Sequence, residues 1–137
     1  MKTHPYIRAY MAGITLPTLF LLVILTAFVI ARYVYDVDVP VERVVVFPMA
    51  AVPNSWGAWN ILYVWLRKRV SWPIGLHGAL LPLLLVPAGY LVARAVGVPF
   101  PLTAAQLFPV VLPLGLVAYY LLWKYLVGSL NDLLGIG

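Results

Sequence analysis

Few residues in this chain have side chains suited to chemistry. Among 137 residues there are two histidines, His4 and His77, four carboxylates and no cysteine. An imidazole with a free pKa of about 6.5 can carry a proton or bind a metal. His4 stands in the N-terminal tail with no partner pattern. His77 falls near the start of a long apolar run, where it fits two roles: a protonatable gate, or a helix-end hydrogen bonder. Asp36, Asp38 and Glu42 are clustered between Arg32 and Arg43. Asp-x-Asp can offer oxygens to a divalent cation, but no glycine turn or further acceptor follows. A solvated loop with local arginine pairing is the expected state.

No metal site of recognisable ligand spacing emerges. No Ser/His/Asp set falls at one depth, and no paired carboxylates or Gly-rich phosphate loop occur. The expectation is a non-enzymatic protein with no catalytic residues and no cofactor.

The most distinctive polar stretch is Pro53-Asn54-Ser55-Trp56-Gly57-Ala58-Trp59-Asn60. On a helix, Pro53, Gly57, Asn60 and Val64 share one stripe, and Asn54 and Ser55 point away from it. An amide inside hydrocarbon is costly without a partner, so Asn54, Ser55 and Asn60 must face other helices, water or a ligand. Two readings fit. The polar groups repair the hydrogen-bond gap beside Pro53 and glue helices together, or they line a pocket walled by Trp56 and Trp59. Gln106, near the start of the last apolar run, is the expected partner of Asn54.

The elements that position these residues follow from composition. Hydrophobic residues make up 64% and charged residues 9% of the chain, against roughly 25% charged in a soluble domain. Mean hydropathy is +1.00. Water cannot solvate such a surface, which excludes an ordinary soluble domain and a disordered tail. Between Arg8 and Arg32 lie 23 uncharged residues, between Arg43 and Arg67 another 23, between Arg69 and Arg94 24, and between Arg94 and Lys124 29. About 20 helical residues cross a bilayer core. The gaps predict an all-α polytopic membrane protein, a single domain of four transmembrane helices near 9–32, 44–66, 74–96 and 103–127. Val98-Pro99-Phe100-Pro101 would lead into the fourth. Runs such as Leu19 to Leu25 do not alternate, which excludes a β-barrel. The first span is too long for a signal-peptide core and is expected to remain in the mature protein.

Interior prolines (Pro17, Pro82, Pro48, Pro53, Pro109, Pro113) should bend the helices. The last four fall in the halves remote from the N-terminus, and that end of the bundle is expected to be splayed. The two halves also look related. Gly13-Ile14-Thr15-Leu16-Pro17 resembles Gly78-Ala79-Leu80-Leu81-Pro82, and Gly57 and Trp65 match Gly115 and Trp123. A tandem duplication of a two-helix hairpin, over 9–69 and 74–127, is the corresponding expectation.

Orientation comes from basic residues. Lys2, Arg8, Arg67, Lys68, Arg69 and Lys124 gather on one side, and Arg32, Arg43 and Arg94 on the other. Both termini are therefore expected in the cytoplasm, in a bacterial inner membrane. The net charge of +5 reads as attraction to anionic lipid heads at Arg67, Lys68 and Arg69. The scattered basic residues exclude a nucleic-acid partner. Tyr and Trp at the span ends read as interfacial anchors.

No carboxylate lies in any span, which argues against ion-driven transport. The expected function is binding or permeation of a neutral or lipophilic small molecule at a polar site within the bundle, beneath the outer leaflet. The alternative is a non-catalytic subunit or scaffold of a larger membrane complex. Ala9 with Gly13 and Gly75 with Ala79 would allow close helix contact, including in a homodimer.

Overall fold

Pro5 opens the first helix, where its missing N–H costs no hydrogen bond, and the helix then runs unbroken to Val34 (α1, Pro5–Val34). Pro17 lies inside it and is buried. The computed structural model describes residues 4–97 and 103–137, and among these there is no strand. Three helices are long and apolar enough to cross a membrane: Pro5–Val34, Ile74–Ala95 and Ala104–Leu133. Lys2 and the Val98-Pro99-Phe100-Pro101 stretch lie outside the described residues.

The span expected at 44–66 is helical but composite. It consists of α2 (Val41–Val44), a π-helical stretch (Val45–Ala51) and α3 (Val52–Leu66). Pro48 has no N–H to donate, and an i→i+5 bulge is one way a helix absorbs such a gap. The third expected span divides into α4 (Ile74–Ala79) and α5 (Pro82–Ala95). Pro82 cannot bond the Gly78 carbonyl, which instead accepts from Leu81 N at 3.1 Å. The last run comprises α6 (Ala104–Leu121), a π-helical stretch (Leu122–Val127) and α7 (Gly128–Leu133), six residues beyond the expected end. Gly135, with φ +67°, closes it. Gly135 N donates to Asp132 O at 3.0 Å and Ile136 N to Asn131 O at 2.8 Å, the paired bonds of a Schellman cap that needs a left-handed residue.

The helices pack as two hairpins. In the first, Ala9, Ala12, Gly13, Pro17 and Leu21 of α1 form a stripe that is buried, facing Pro53, Trp56, Gly57, Asn60 and Val64 of α3. Small residues bring the backbones together: a Cβ on Gly13 would lie 2.6 Å from the Trp56 carbonyl oxygen. Where lipid replaces water, such close packing rather than hydrophobic expulsion holds helices together. The Gly13 contact is therefore spent inside the chain. Gly75 is likewise occupied, packed on Tyr120 and Lys124.

Two clusters of long-range contacts define the ends of the bundle. At the basic end, Arg8 Nη1 donates to Leu134 O at 2.6 Å and the Arg67 guanidinium donates to Ile136 O. At the loop end, Arg32 Nη1 meets both Glu42 oxygens at 2.7 Å, and Arg43 Nη1 donates to Gly97 O at 3.1 Å. The segment from Val41 to Leu66 thus runs from one end to the other. Buried side chains concentrate toward the basic end. Beyond Leu21, the loop half contributes Leu107 alone among the described residues.

The Arg32 guanidinium, chiefly through its hydrogen bonds, holds the Glu42 carboxyl below the ordinary glutamate range. A carboxyl depressed on folding stabilises the fold above its unfolded pKa, and that contribution is lost as pH falls through the folded value. Glu42 is exposed and Arg32 about one-third so, and the effect on stability is small. The Glu42 side-chain carbon should titrate by NMR at a lower pH than a free glutamate. Arg32→Gln should return the midpoint to the ordinary range; an unmoved midpoint would deny the pair.

Candidate functional site

The inward stripe of α3 carries the amide of Asn60 to the centre of the basic half, where it is fully buried. Its Nδ2 donates to Ala9 O at 2.7 Å and to Asn131 Oδ1 at 2.8 Å; Asn131 Nδ2 returns a bond to Asn60 Oδ1 at 3.1 Å. One side chain thus ties α1, α3 and α7 together. Asn131 is itself 1% exposed. The reciprocal pair satisfies groups that would otherwise be costly in an apolar surrounding.

Next to Asn60 on α3, Trp59 forms a second reciprocal lock with His77. Trp59 Nε1 donates to His77 O at 2.8 Å, and His77 Nε2 donates to Trp59 O at 2.9 Å. A carbonyl only accepts, so the proton sits on Nε2. The rings stack with centroids 5.0 Å apart, and Tyr63 lies 5.3 Å and Trp123 5.9 Å from the imidazole. Trp56 joins them: its Nε1 donates to the Tyr119 hydroxyl at 3.2 Å, and its ring is 5.6 Å from Trp123. Gly78 makes the cluster possible, since a Cβ there would fall 2.0 Å from Trp123 Cγ. The fully buried Trp123 indole Nε1 has no hydrogen-bond partner among the described residues.

The structure distributes the residues singled out in sequence over three places. Trp56, Trp59, Asn60 and His77 meet in this centre. Asn54 is exposed; its Nδ2 donates to Ala50 O at 2.6 Å, and the Tyr10 hydroxyl donates to its Oδ1. Ser55 donates back to Ala51 O at 2.7 Å. These bonds to the carbonyl four residues earlier are the local repair that short polar side chains provide. Gln106 stays at its own helix start, where its Oε1 accepts from Thr103 N at 3.1 Å. The expected Asn54–Gln106 pair is therefore replaced by Asn54–Tyr10, because α1, not α6, lies against this part of α3. Asn60 is level with Ala9, five residues into the first helix, so the polar centre lies toward the basic end rather than in the half that carries Arg32.

Two hollows adjoin the centre at that end. A cavity of about 110 Å³ lies between Tyr63, Leu66, Val70 and Trp72, with His77 and Arg67 in its wall. A more polar cleft of about 250 Å³ opens beside it, bordered by Arg67, Lys124, Asn131 and Asp132 together with Tyr63, Tyr125 and Ser129. Tyr63 and Arg67 belong to both.

Sequence reading missed Asn131, Tyr119 and the inward role of Trp123. Trp123 resembles an interfacial anchor by position, yet it is fully buried. A signal was present: Trp123, Val127 and Asn131 recur every four residues, continuing the helix face beyond the expected end of the span. No protein-family model, curated protein or solved structure matches this chain.

Proposed function

We propose that this chain is a non-enzymatic, four-crossing membrane protein that binds or passes a neutral or lipophilic small molecule where its two hairpins meet. One observation carries the reading: the two hollows share Tyr63 and Arg67 and border the aromatic–amide centre. The interior polar groups of that centre, Asn60, Asn131, Trp59 and His77, are engaged with one another. They build the walls, and the adjoining space is left for a guest. The fourth crossing is the helical run near 44–66, supported by contacts of Arg43 at one end and Arg67 at the other. The N-terminal start of α1, the Arg67-Lys68-Arg69 turn and segment 128–137 then share one side, the cytoplasmic side of a bacterial inner membrane by the basic-residue rule, facing anionic lipid heads. Hairpin duplication is supported by the matched Gly13 and Gly78, each of which packs on the second helix of its own hairpin, at Gly57 and at Trp123.

Mass spectrometry of the gently extracted protein tests the proposal. The expected result is a neutral lipophile that remains through purification and is lost from Tyr63→Ala. Recovery of only detergent and bulk lipid would overturn it. The second reading, a scaffold subunit or homodimer, is favoured by the loop half, where α5 and α6 leave Leu83, Leu84, Leu91, Val110, Leu114 and Val117 exposed. Stoichiometric co-purification of another polypeptide, with no small molecule, would select it.

A further inference from the structure

The larger cleft carries an excess of positive charge. Arg67 and Lys124 bring two cations to it and Asp132 one carboxylate, so its side chains leave one positive charge uncompensated. Among the described residues no ion pair joins either cation to Asp132, and Gly137 packs onto that carboxylate. Both cations are held in place. The Arg67 guanidinium spends one N–H on the Ile136 carbonyl, which leaves the rest of its fork for another acceptor. The Lys124 ammonium is flanked by the Tyr120 and Tyr125 rings, 5.7 and 5.2 Å from their centroids, contacts that favour a cation at that spot. The Ser129 hydroxyl is already committed, donating to Tyr125 O, so charge is the main means of recognition. The two cations also come from different hairpins: Arg67 follows α3, and Lys124 lies in the π-helical stretch Leu122–Val127.

The cleft lies at the depth of a headgroup. Trp65, Trp72 and Tyr125 are exposed at this end, and Arg69 lies over the Trp65 ring at 4.8 Å. Aromatic and basic residues of this kind mark the membrane–water boundary, where a basic pocket between helices suits an anionic head. At about 250 Å³ the cleft is smaller than a pocket for a drug-sized molecule, about 300–1,000 Å³, which fits a head whose chains remain in the bilayer.

Going beyond the neutral guest proposed above, we infer that the cleft between Arg67 and Lys124 seats the phosphodiester of an anionic membrane lipid. The phosphodiester oxygens accept from the free arm of the Arg67 fork and from the Lys124 ammonium, so one head ties the two hairpins together at the basic end. Charge decides the class. A singly charged phosphodiester balances the excess. A zwitterionic head brings a further cation and leaves the excess standing. A phosphomonoester, at about −1.5 to −2 near pH 7, overshoots it beside Asp132. The smaller cavity remains for the neutral guest.

The test uses the full chain in mild detergent with equimolar phosphatidylglycerol, phosphatidylethanolamine and phosphatidylcholine of one acyl composition, read by native mass spectrometry. The phosphatidylglycerol adduct should exceed each zwitterionic one by about threefold, the scale of a partly exposed charge contact. Lys124→Ala should erase that preference, while Lys68→Ala, which removes the same charge outside the cleft, should leave it. Asp132→Asn should raise it, a gain that no loss of folding can mimic. All three positions are exposed. Equal retention of the three lipids, or a preference for either zwitterion, would overturn the inference. So would equal effects of Lys124→Ala and Lys68→Ala, the mark of diffuse attraction, or an Asp132→Asn preference no higher than the parent's. Soluble glycerophosphoglycerol, the same head without chains, should fail to displace the lipid; complete displacement would assign the site to a free phosphodiester and overturn the lipid source. Absence of any neutral lipophile with the phosphatidylglycerol preference intact would overturn the reading above and leave this one standing.

Discussion

Replacing Gly13 by alanine should destabilise the first hairpin by about 2 kcal/mol, within the range for overfilling a packed interface. The added carbon would sit 2.6 Å from the Trp56 carbonyl oxygen and 2.8 Å from Gly57 Cα. Both are backbone atoms, so no rotamer change relieves the clash. The two helices must separate, and with them the contact between Ala9 and Asn60. Gly57→Ala meets the Tyr10 ring at 2.5 Å and Ile14 Cγ2 at 2.7 Å; those side chains can shift, so its penalty should be smaller. Gly115 occupies the position matched to Gly57 in the second half of the sequence. A Cβ there would lie 3.5 Å from Pro82 Cβ, an ordinary contact. Gly115→Ala should therefore be neutral or stabilise by about 0.5–1 kcal/mol through the lower backbone entropy of alanine. Reversible unfolding in mixed micelles measures all three. A Gly13→Ala protein as stable as the parent would refute the close approach of α1 and α3.

Asn60→Leu should cost about 2 kcal/mol, because it leaves the buried Asn131 amide without its reciprocal partner. The double variant Asn60→Leu with Asn131→Leu removes both amides and should cost less than the two single variants added together. The coupling between them should be about 1 kcal/mol, toward the upper part of the range measured for hydrogen bonds between membrane helices. Additive single effects would show that the pair contributes nothing specific. The same variants bear on function. If Asn60 is a wall rather than a ligand contact, the folded fraction of the double variant should still retain a bound lipophile.

The helical character and the ends of the apolar runs were legible in the sequence because hydrophobic length is a property of a contiguous segment. Charges at Arg8, Arg32, Arg43, Arg67, Arg94 and Lys124 set those lengths without reference to any neighbour. The composite build of Val41–Leu66 and the break before Pro82 were partly legible, since proline's missing donor is a local fact. Whether the ladder bulges, breaks or continues, as it does through Pro17, depended on what packs alongside.

By itself, the sequence determined a set of apolar helices with basic residues weighted toward one end, and it named Trp56, Trp59, Asn60 and His77 as notable. Only the tertiary structure decided whom they meet. Asn60 and Asn131 are 71 residues apart in the chain, and Trp59 and His77 stand on opposite sides of a turn. Each meeting depends on the rotation and register of one helix against another. A helix turns about 100° per residue, so a one-residue slip would carry the Asn60 amide from its partner out toward lipid. Hydropathy is blind to that angle; the close fit of Gly13 on Gly57 and of Gly78 on Trp123 fixes it.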